Sequence, residues 1–279
     1  MIKKSKVYHI GIWGMTLIFS IIVLFPVYWI FLSAITPKDM LFTRPINYIP
    51  IAPTLENYRT LFASVDVLGQ ASNTLTMAFF TIILTLLFSV LAAYAFARYV
   101  FPGKTITYLY LIFSAMLPVI VTIIPLFQLF RSMNLTNTVT GLIIINTSTF
   151  IPFTMMTLTN FIQTIPVSIE DAADVDGAGV LTKIFVVLLP LLKPALATMA
   201  IIIFVWCMNE FMVALVFTTN INSMPLSVGI TMIPRIDQFN IPWEMISALA
   251  TLMLLPIILF VMVFERNIMD GLITGSIKE

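Results

Sequence analysis

Six long apolar runs, separated by shorter polar segments, dominate the hydrophobic pattern of this 279-residue chain. The runs lie near residues 10–34, 73–97, 105–130, 139–161, 195–217 and 246–264. A helix of about 18 or more predominantly apolar residues can cross a hydrocarbon core about 30 Å thick. Barrel strands would instead alternate apolar and polar residues, which these runs do not do. The pattern therefore predicts an all-α, polytopic membrane protein with six transmembrane helices.

The composition agrees with that class. Apolar residues make up 60% of the chain and charged residues only 10%, and the mean hydropathy is +1.05, which excludes an ordinary soluble globular protein. The first run follows a basic start, but it is too long for a signal peptide and no small-residue cleavage pattern follows it. We expect it to remain as a membrane helix of one transmembrane domain spanning 1–279.

The basic residues favour one orientation in the membrane. With the N-terminus inside, more of them face the cytoplasm than the exterior, as the positive-inside rule requires. The cytoplasmic set is Lys3, Lys4, Lys6, Arg98, Lys104, Lys183, Lys193, Arg266 and Lys278, and the external set is Lys38, Arg44, Arg59, Arg131 and Arg235. Both termini and the loop 162–194 are therefore predicted to be cytoplasmic. The external segment 35–72 is expected to hold one short amphipathic helix around Glu56–Ala63.

The loop 162–194 contains a dense acidic cluster. Four of the chain's thirteen acidic residues lie within seven positions, namely Glu170, Asp171, Asp174 and Asp176. Pro166 and Ser168 can open a short helix whose N-terminal dipole favours the first two of these carboxylates. Asp176-Gly177 supplies a turn that needs a positive φ. Because the side chains of Ala172 and Ala173 are small, another protein's backbone could approach this helix closely.

Glu170 and Asp174 are four residues apart on one face of that helix, where like charges repel by about 0.2–0.5 kcal/mol. No basic residue precedes Lys183 in the loop. We therefore hypothesise that a partner protein supplies the missing cation. The alternative is a solvated acidic loop without a partner.

Glu210 is the acidic residue placed deepest in an apolar run. A carboxylate at the centre of a membrane helix costs about 2.5–3.5 kcal/mol, so it should face a bundle interior, a partner helix or water. Asn209 beside it could donate to a polar solute. Two interpretations stay open: a functional residue, as in an ion-coupled secondary transporter that uses Glu210 as its proton or cation carrier, or hydrogen-bonded contact between helices.

Catalytic motifs and metal-ligand patterns are missing from the sequence. There is no Gly-x-Ser-x-Gly, His-Glu-x-x-His or phosphate-binding loop. Cys207 and His9 are each the only residue of their type, which leaves no thiolate cluster, no intrachain disulfide and no metal site at ligand spacing. An intramembrane enzyme would also need a nucleophile and base that the spans do not supply. Uphill transport would then draw its energy from a partner's nucleotide or from an ion gradient.

The loop resembles the cytoplasmic loop of the permease subunits of ABC importers. Its family signature is Glu-Ala-Ala, three residues, Gly, nine residues and Ile-x-Leu-Pro. Here Asp171-Ala172-Ala173, Gly177 and Val187-Leu188-Leu189-Pro190 match at every spacing, with Asp in place of Glu and Val in place of Ile. Because Asp is shorter by one methylene, the neighbouring Glu170 is an alternative for the contact.

Further blocks resemble the carbohydrate-uptake type of these permeases. They are Pro53-Thr54-Leu55-Glu56-Asn57-Tyr58, Ala93-Tyr94-Ala95-Phe96-Ala97-Arg98 with Phe101-Pro102-Gly103, Asn209-Glu210-Phe211, and Gly271-Leu272-Ile273-Thr274-Gly275-Ser276-Ile277-Lys278. The resemblance implies the ABC importer permease fold and a multi-pass protein of the cytoplasmic (inner) membrane. It implies half of an ATP-driven translocation path for a sugar or related polar solute, rather than an enzyme.

The resemblance also implies partners and site residues. The partners are a second permease subunit, two ATPase domains that bind ATP and Mg, an extracytoplasmic solute-binding protein and membrane lipid, with no nucleic acid and no cofactor on this chain. The segment 169–190 would couple to the ATPases through Glu170, Asp171, Ala172, Ala173, Asp174, Asp176, Gly177, Leu189 and Pro190. Asn209, Glu210 and Phe211 would belong to the solute pathway, and Gly275, Ser276 and Lys278 to a C-terminal tail that contacts the ATPases.

Overall fold

The computed structural model describes the backbone of residues 6–235 and 241–276, and the side chains of residues 11–235 and 241–264. Within these ranges the chain is helical and contains no strand, which confirms the predicted all-α class. Four helices are each long and apolar enough to cross a membrane: α1 (Lys6–Ile35), α3 (Val67–Arg98), α6 (Val139–Thr164) and α13 (Trp243–Ser276).

Two further candidates for spans are bent pairs of helices. In the first, α4 (Lys104–Met116) and α5 (Val119–Ser132) meet at 99°. In the second, Val180–Leu191 and α10 (Lys193–Asn209) meet at 80°. The described chain therefore has six spans only if each bent pair counts as one, so the six-span topology with both termini cytoplasmic stays a prediction.

The remaining helices are short. They are α2 (Glu56–Ser64), α7 (Ser168–Val175), α8 (Val180–Thr182), α9 (Leu189–Leu191), α11 (Met212–Phe217) and α12 (Leu226–Gly229), with a π-helical turn at Lys183–Leu188 and 3-10 turns at Lys38–Met40, Ile221–Ser223 and Ile230–Met232. The helix α2 confirms the short helix expected around Glu56–Ala63.

Two predicted apolar runs are not continuous helices. The run 105–130 is interrupted at Leu117, whose ψ of 122° is extended, because the following Pro118 disfavours helical geometry in the residue before it. The run 195–217 is interrupted at Glu210, whose ψ of 114° ends α10 before α11 begins. The run 73–97, by contrast, belongs to a helix that is longer than predicted, because α3 begins at Val67.

The chain packs as two compact units. The first contains residues 6–67 and 230–255 of the described chain, with α1, α2 and the beginning of α13. There the buried Asn57 amide donates to the carbonyls of Ala34 at 2.9 Å and Thr36 at 2.8 Å. These bonds fasten α2 to the C-terminal end of α1. The prediction of a single domain over 1–279 stays a prediction.

The second unit contains residues 68–229 and 256–276, and it has two hydrophobic clusters. The first cluster joins Met77 and Ala78 of α3 to buried residues of α5, α6, α10 and α11. The second joins Val90, Ala93 and Tyr94 of α3 to buried residues of α6 and of the segment 184–195. The long helix α3 therefore contributes to both clusters, one along each half of its length.

Candidate functional site

The short helix α7 forms where the sequence predicts it. Pro166 precedes it, and it ends in a Schellman motif: the N–H of Ala178 donates to Ala173 O at 2.9 Å, and the N–H of Gly177 donates to Asp174 O at 3.0 Å. Gly177 has a φ of +78°, which confirms the predicted left-handed turn. This ending fixes the direction in which the chain leaves α7.

Glu170 faces inward from α7 and is buried. Its Oε1 accepts a hydrogen bond from Arg98 Nε at 2.6 Å, and its Oε2 accepts one from the Tyr94 hydroxyl at 3.0 Å. Arg98 Nη2 also donates to Ile165 O at 2.9 Å, just before α7 begins. The C-terminal end of α3 thus holds both the carboxylate and the backbone of the loop.

The cations facing the acidic cluster come from this chain. In the Glu170–Arg98 ion pair the Glu170 side chain is buried and the Arg98 side chain is 11% exposed, whereas Asp174, which pairs with Lys183 at 2.8 Å, has a half-exposed side chain. The hypothesis that a partner supplies the cation is therefore wrong for these two carboxylates. A buried charge needs a close, hydrogen-bonded counterion. Arg98, which is far from Glu170 in the sequence, is that counterion.

The opposite face of α7 is open to solvent. Asp171, Ala172 and Asp176 are exposed, Ala173 is half-buried, and Val175 is 89% exposed. In the following segment Pro190 is exposed and Leu189 is half-buried. The predicted coupling residues are therefore divided: Glu170 points into the fold, while the rest of the set offers a mixed acidic and apolar surface.

Glu210 lies at the break between α10 and α11 and is buried. Its Oε1 accepts the N–H of Val213 and its Oε2 accepts the N–H of Ala214, each at 2.8 Å. A carboxylate in this position satisfies donors that the first turn of a helix leaves without partners, and it complements the helix dipole. In this conformation Glu210 therefore stabilises the broken helix.

Its neighbours point elsewhere. The exposed Asn209 amide donates back to Val205 O at 2.7 Å, and Phe211 packs against the first hydrophobic cluster. The structure therefore does not bring the side chains of Asn209 and Glu210 together in one polar site.

A second polar network lies at the opposite end of the unit from α7. Asn137, in the left-handed region with a φ of +58°, accepts hydrogen bonds through Oδ1 from the backbone N–H groups of Thr219 at 2.6 Å and Asn220 at 3.1 Å. Asn73 of α3 donates to Asn222 O at 2.9 Å and to Met224 O at 3.0 Å. These contacts order the segment after α11.

The predicted tail contact lies at the edge of the described chain. The backbone of Gly275 and Ser276 continues α13 to its end, and Lys278 lies outside the described residues. In the part of the chain whose side chains are described, no group of His, Cys, Asp and Glu side chains could hold a metal ion.

In the sequence, Arg98 stands out only through its charge and the family resemblance, and no local pattern identifies Tyr94, Asn73 or Asn137 as hydrogen-bonding partners. One signal was available for Arg98. It follows the second apolar run on the side predicted to be cytoplasmic, where a buried carboxylate of the acidic loop would need a cation. No comparable signal marks Asn73 or Asn137, because their acceptors and donors are backbone groups.

The all-α fold, with long apolar helices and a polar loop outside them, defines a multi-pass membrane protein. A family described as binding-protein-dependent transport system inner membrane component matches residues 85–272. The chain is 33% identical over 255 residues to the sulfoquinovosyl glycerol transport system permease protein SmoH of Agrobacterium fabrum. The matched region covers 91% of this chain and 89% of that protein. It is 32% identical over 255 residues to the trehalose transport system permease protein SugB of Mycobacterium tuberculosis, with 91% and 92% covered.

A solved structure has the same fold. It comes from a bacterial ABC transporter involved in the import of the acidic polysaccharide alginate, with a TM-score of 0.81, 22% identity, and 95% of this chain and 98% of that chain covered. The chain belongs to the binding-protein-dependent transport system inner membrane component family. It is a permease subunit of an ABC importer in the inner membrane, a transport subunit rather than an enzyme. This membership disfavours the ion-coupled alternative built on Glu210.

Proposed function

We propose that this permease forms half of the translocation path for a sugar or related polar solute. A second permease subunit supplies the other half, two ATPase domains bind and hydrolyse ATP with Mg, and an extracytoplasmic solute-binding protein delivers the solute. No cofactor is assigned to this chain. The names of the two relatives, which refer to sulfoquinovosyl glycerol and trehalose, support a carbohydrate as the solute.

We propose that α7 and the segment up to Pro190 couple this chain to an ATPase domain. One observation carries this assignment: α7 is fastened to α3 by the buried Glu170–Arg98 pair on one face, and it is open on the other. An exposed helix that is rigidly attached to the spans can receive a displacement and pass it on. A freely mobile acidic loop could not do so.

The open face suits a protein partner. Val175 is an exposed apolar side chain between Asp171, one helical turn earlier, and Asp176, the next residue, and Leu181 is exposed five residues after Asp176. Apolar anchors ringed by charge are typical of protein interfaces, where the apolar contact contributes affinity and the charges select the partner. Asp171, which matches the family's Glu, is the carboxylate on this face nearest the N-terminus of α7.

Cysteine crosslinking in native membranes tests the coupling site. Replacing the buried Cys207 with Ala gives a cysteine-free background. We expect Val175→Cys to crosslink to an ATPase subunit that carries engineered surface cysteines. The matched control is Met133→Cys, which is also exposed but lies between α5 and α6 in a segment predicted to be external. Crosslinks from Met133→Cys alone, or from neither variant, would exclude α7 as the coupling helix.

We further propose that the exposed side of the break after α10 contributes to the solute pathway. The Asn209 amide and the half-exposed Trp206 ring lie there, and sugars bind to such combinations of amides and aromatic rings. Asn209→Leu is expected to raise the solute concentration needed for half-maximal transport about tenfold without changing ATP hydrolysis at saturating binding protein. An unchanged concentration dependence would remove Asn209 from the pathway.

The energy source has its own test. Proteoliposomes that contain only this chain should take up no sugar under a proton or sodium gradient. Uptake should appear when the second permease, the ATPases, the loaded binding protein and ATP are present. Gradient-driven uptake by the chain alone would instead support the ion-coupled transporter.

A further inference from the structure

The helix α3 is fastened to other segments at both of its ends. At its C-terminal end Arg98 and Tyr94 hold Glu170 of α7. Near its N-terminal end Asn73 holds the carbonyls of Asn222 and Met224. A helix propagates displacement along its axis because each turn is hydrogen-bonded to the next. The two attached segments are thereby joined through one stiff element.

The N-terminal attachment is more than one surface contact. The buried Thr74 hydroxyl accepts the N–H of Leu226 at 2.8 Å and donates to Gln70 O at 2.9 Å. One turn earlier, Gln70 packs directly against Gly229, where an added Cβ would lie 1.9 Å from Gln70 Oε1. The segment from Asn222 to Gly229 is therefore fitted tightly onto the first turns of α3.

That segment leads to the helix break. The Ser227 hydroxyl donates to the backbone carbonyl of Glu210 at 2.5 Å, at the point where α10 ends. A continuous series of buried contacts thus runs from α7 through α3 to Leu226 and Ser227, and then to Glu210. A packed series of side chains and a rigid helix of this kind can carry energetic coupling between distant sites.

We propose that α3 is the mechanical link that carries displacement of α7 to the segment Asn222–Gly229 and the helix break at Glu210. This inference rests on the proposed coupling of α7 to the ATPases. Thr74 and Asn73 act as positioning residues at one end of α3, and Arg98 and Tyr94 act at the other. Closure of the ATPases then reaches the side of the membrane where the solute-binding protein delivers its cargo.

The test removes the hydrogen bonds that Asn73 and Thr74 make to the segment Asn222–Gly229 and measures nucleotide-dependent movement beside that segment. The reporter is the alkylation rate of Ile221→Cys, a side chain that is 53% exposed beside the fastened segment, in the Cys207→Ala background of the complete transporter. The rate is measured with and without ATP and vanadate, which arrest the ATPases. A second reporter, Val175→Cys, follows α7 itself.

The variants form matched pairs. Thr74→Val keeps the side-chain shape and removes the hydroxyl, whereas Thr74→Ser keeps the hydroxyl. Asn73→Ala removes the two donors of the amide, and Asn47→Ala serves as its control, since Asn47 is in the first unit and its amide donates to Thr43. We expect the nucleotide-dependent change at Ile221→Cys, and the solute transported per ATP, to fall about tenfold in Thr74→Val and Asn73→Ala. Thr74→Ser and Asn47→Ala should retain both.

The outcomes separate the two proposals. Loss of the change at Ile221→Cys with a preserved change at Val175→Cys supports the α3 link. Preservation of both changes in the Thr74→Val, Asn73→Ala double variant overturns the link and leaves the coupling role of α7 intact. Absence of any nucleotide-dependent change at Val175→Cys in the otherwise unaltered transporter overturns the proposed function together with this inference. If the double variant fails to assemble, Thr74→Val alone decides by the same two rates.

Discussion

At the scale of single residues, Glu170 determines how the coupling helix is held. The residue is 4% exposed and its carboxylate pairs with Arg98 and Tyr94, while the neighbouring Asp171 is exposed. Glu170 and Asp171, although adjacent in one helix, therefore have different roles. One fastens α7 to the spans, and the other faces the proposed partner.

Removal of Arg98 should destabilise the protein strongly. Arg98→Leu leaves the Glu170 carboxylate buried without its counterion, which typically costs about 3–5 kcal/mol. We expect a lower thermal unfolding midpoint for the purified transporter, with part of the loss regained in the Arg98→Leu, Glu170→Leu double variant. The control is Arg59→Leu, because the Arg59–Glu56 pair is exposed and 3.9 Å long. A midpoint for Arg98→Leu equal to that of Arg59→Leu would contradict the role of the pair.

Gly177 and Gly179 provide a matched comparison in the same loop. Gly177 has a φ of +78°, whereas Gly179 has a φ of −71°, and neither has an atom within 4 Å of an added Cβ. Gly177→Ala is expected to cost about 1–2 kcal/mol through backbone strain alone. Gly179→Ala should be neutral or slightly stabilising. Rates of limited proteolysis in the loop 162–194 measure the difference, and equal rates would show that the turn at Gly177 is not needed.

At the scale of elements, the breaks in the apolar runs have different physical causes. Between α4 and α5 the cause is Pro118, which acts on the residue before it. Between α10 and α11 there is no proline, and the break is stabilised by Glu210, which caps the second helix with its own carboxylate. The second break is therefore stabilised by one side chain, which a single substitution removes.

Glu210 variants test this cap. Glu210→Leu removes both acceptors for the N–H groups of Val213 and Ala214, and we expect a loss of about 1–2 kcal/mol with reduced amounts of assembled transporter. Glu210→Gln retains one oxygen acceptor, so ATP-driven transport should remain within a few-fold of the original. Uptake assays of both variants at matched protein levels provide the measurement. Complete loss of transport in a stably assembled Glu210→Gln would indicate that the charge itself takes part in transport.

At the scale of the whole molecule, the basic residues predict one orientation of the chain in the membrane. Labelling of single cysteines checks it in the Cys207→Ala background. We expect Met133→Cys to react with a membrane-impermeant maleimide in intact spheroplasts, because residues 131–138 are predicted to be external. Val175→Cys should react only after permeabilisation. The reverse pattern would place the acidic loop outside and remove the basis for ATPase coupling.

The sequence was sufficient for the parts of the fold that depend on local patterns. Apolar length predicted the long helices, the amphipathic stretch predicted α2, and Asp176-Gly177 predicted a left-handed turn that the structure confirms. Each of these follows from residues close together in the chain.

The sequence was insufficient where contacts join distant residues. Arg98 and Glu170 are 72 positions apart, and Thr74 and Leu226 are 152 positions apart. Repulsion between Glu170 and Asp174 suggested an external cation because only local neighbours were considered. The break at Glu210 was also missed, since a capping carboxylate cannot be distinguished by apolar periodicity from an acid inside a continuous helix.

The length of α3 between its two attachments has a consequence for the surrounding lipid. From Thr74 to Arg98 the helix rises about 36 Å at 1.5 Å per residue, a little more than a hydrocarbon core of about 30 Å. Both polar ends would then lie in the headgroup layers. A thicker bilayer of longer acyl chains would decrease the tilt of α3 from the membrane normal, and a thinner bilayer would increase it. We therefore expect transport by the reconstituted protein to depend on the acyl-chain length of the bilayer.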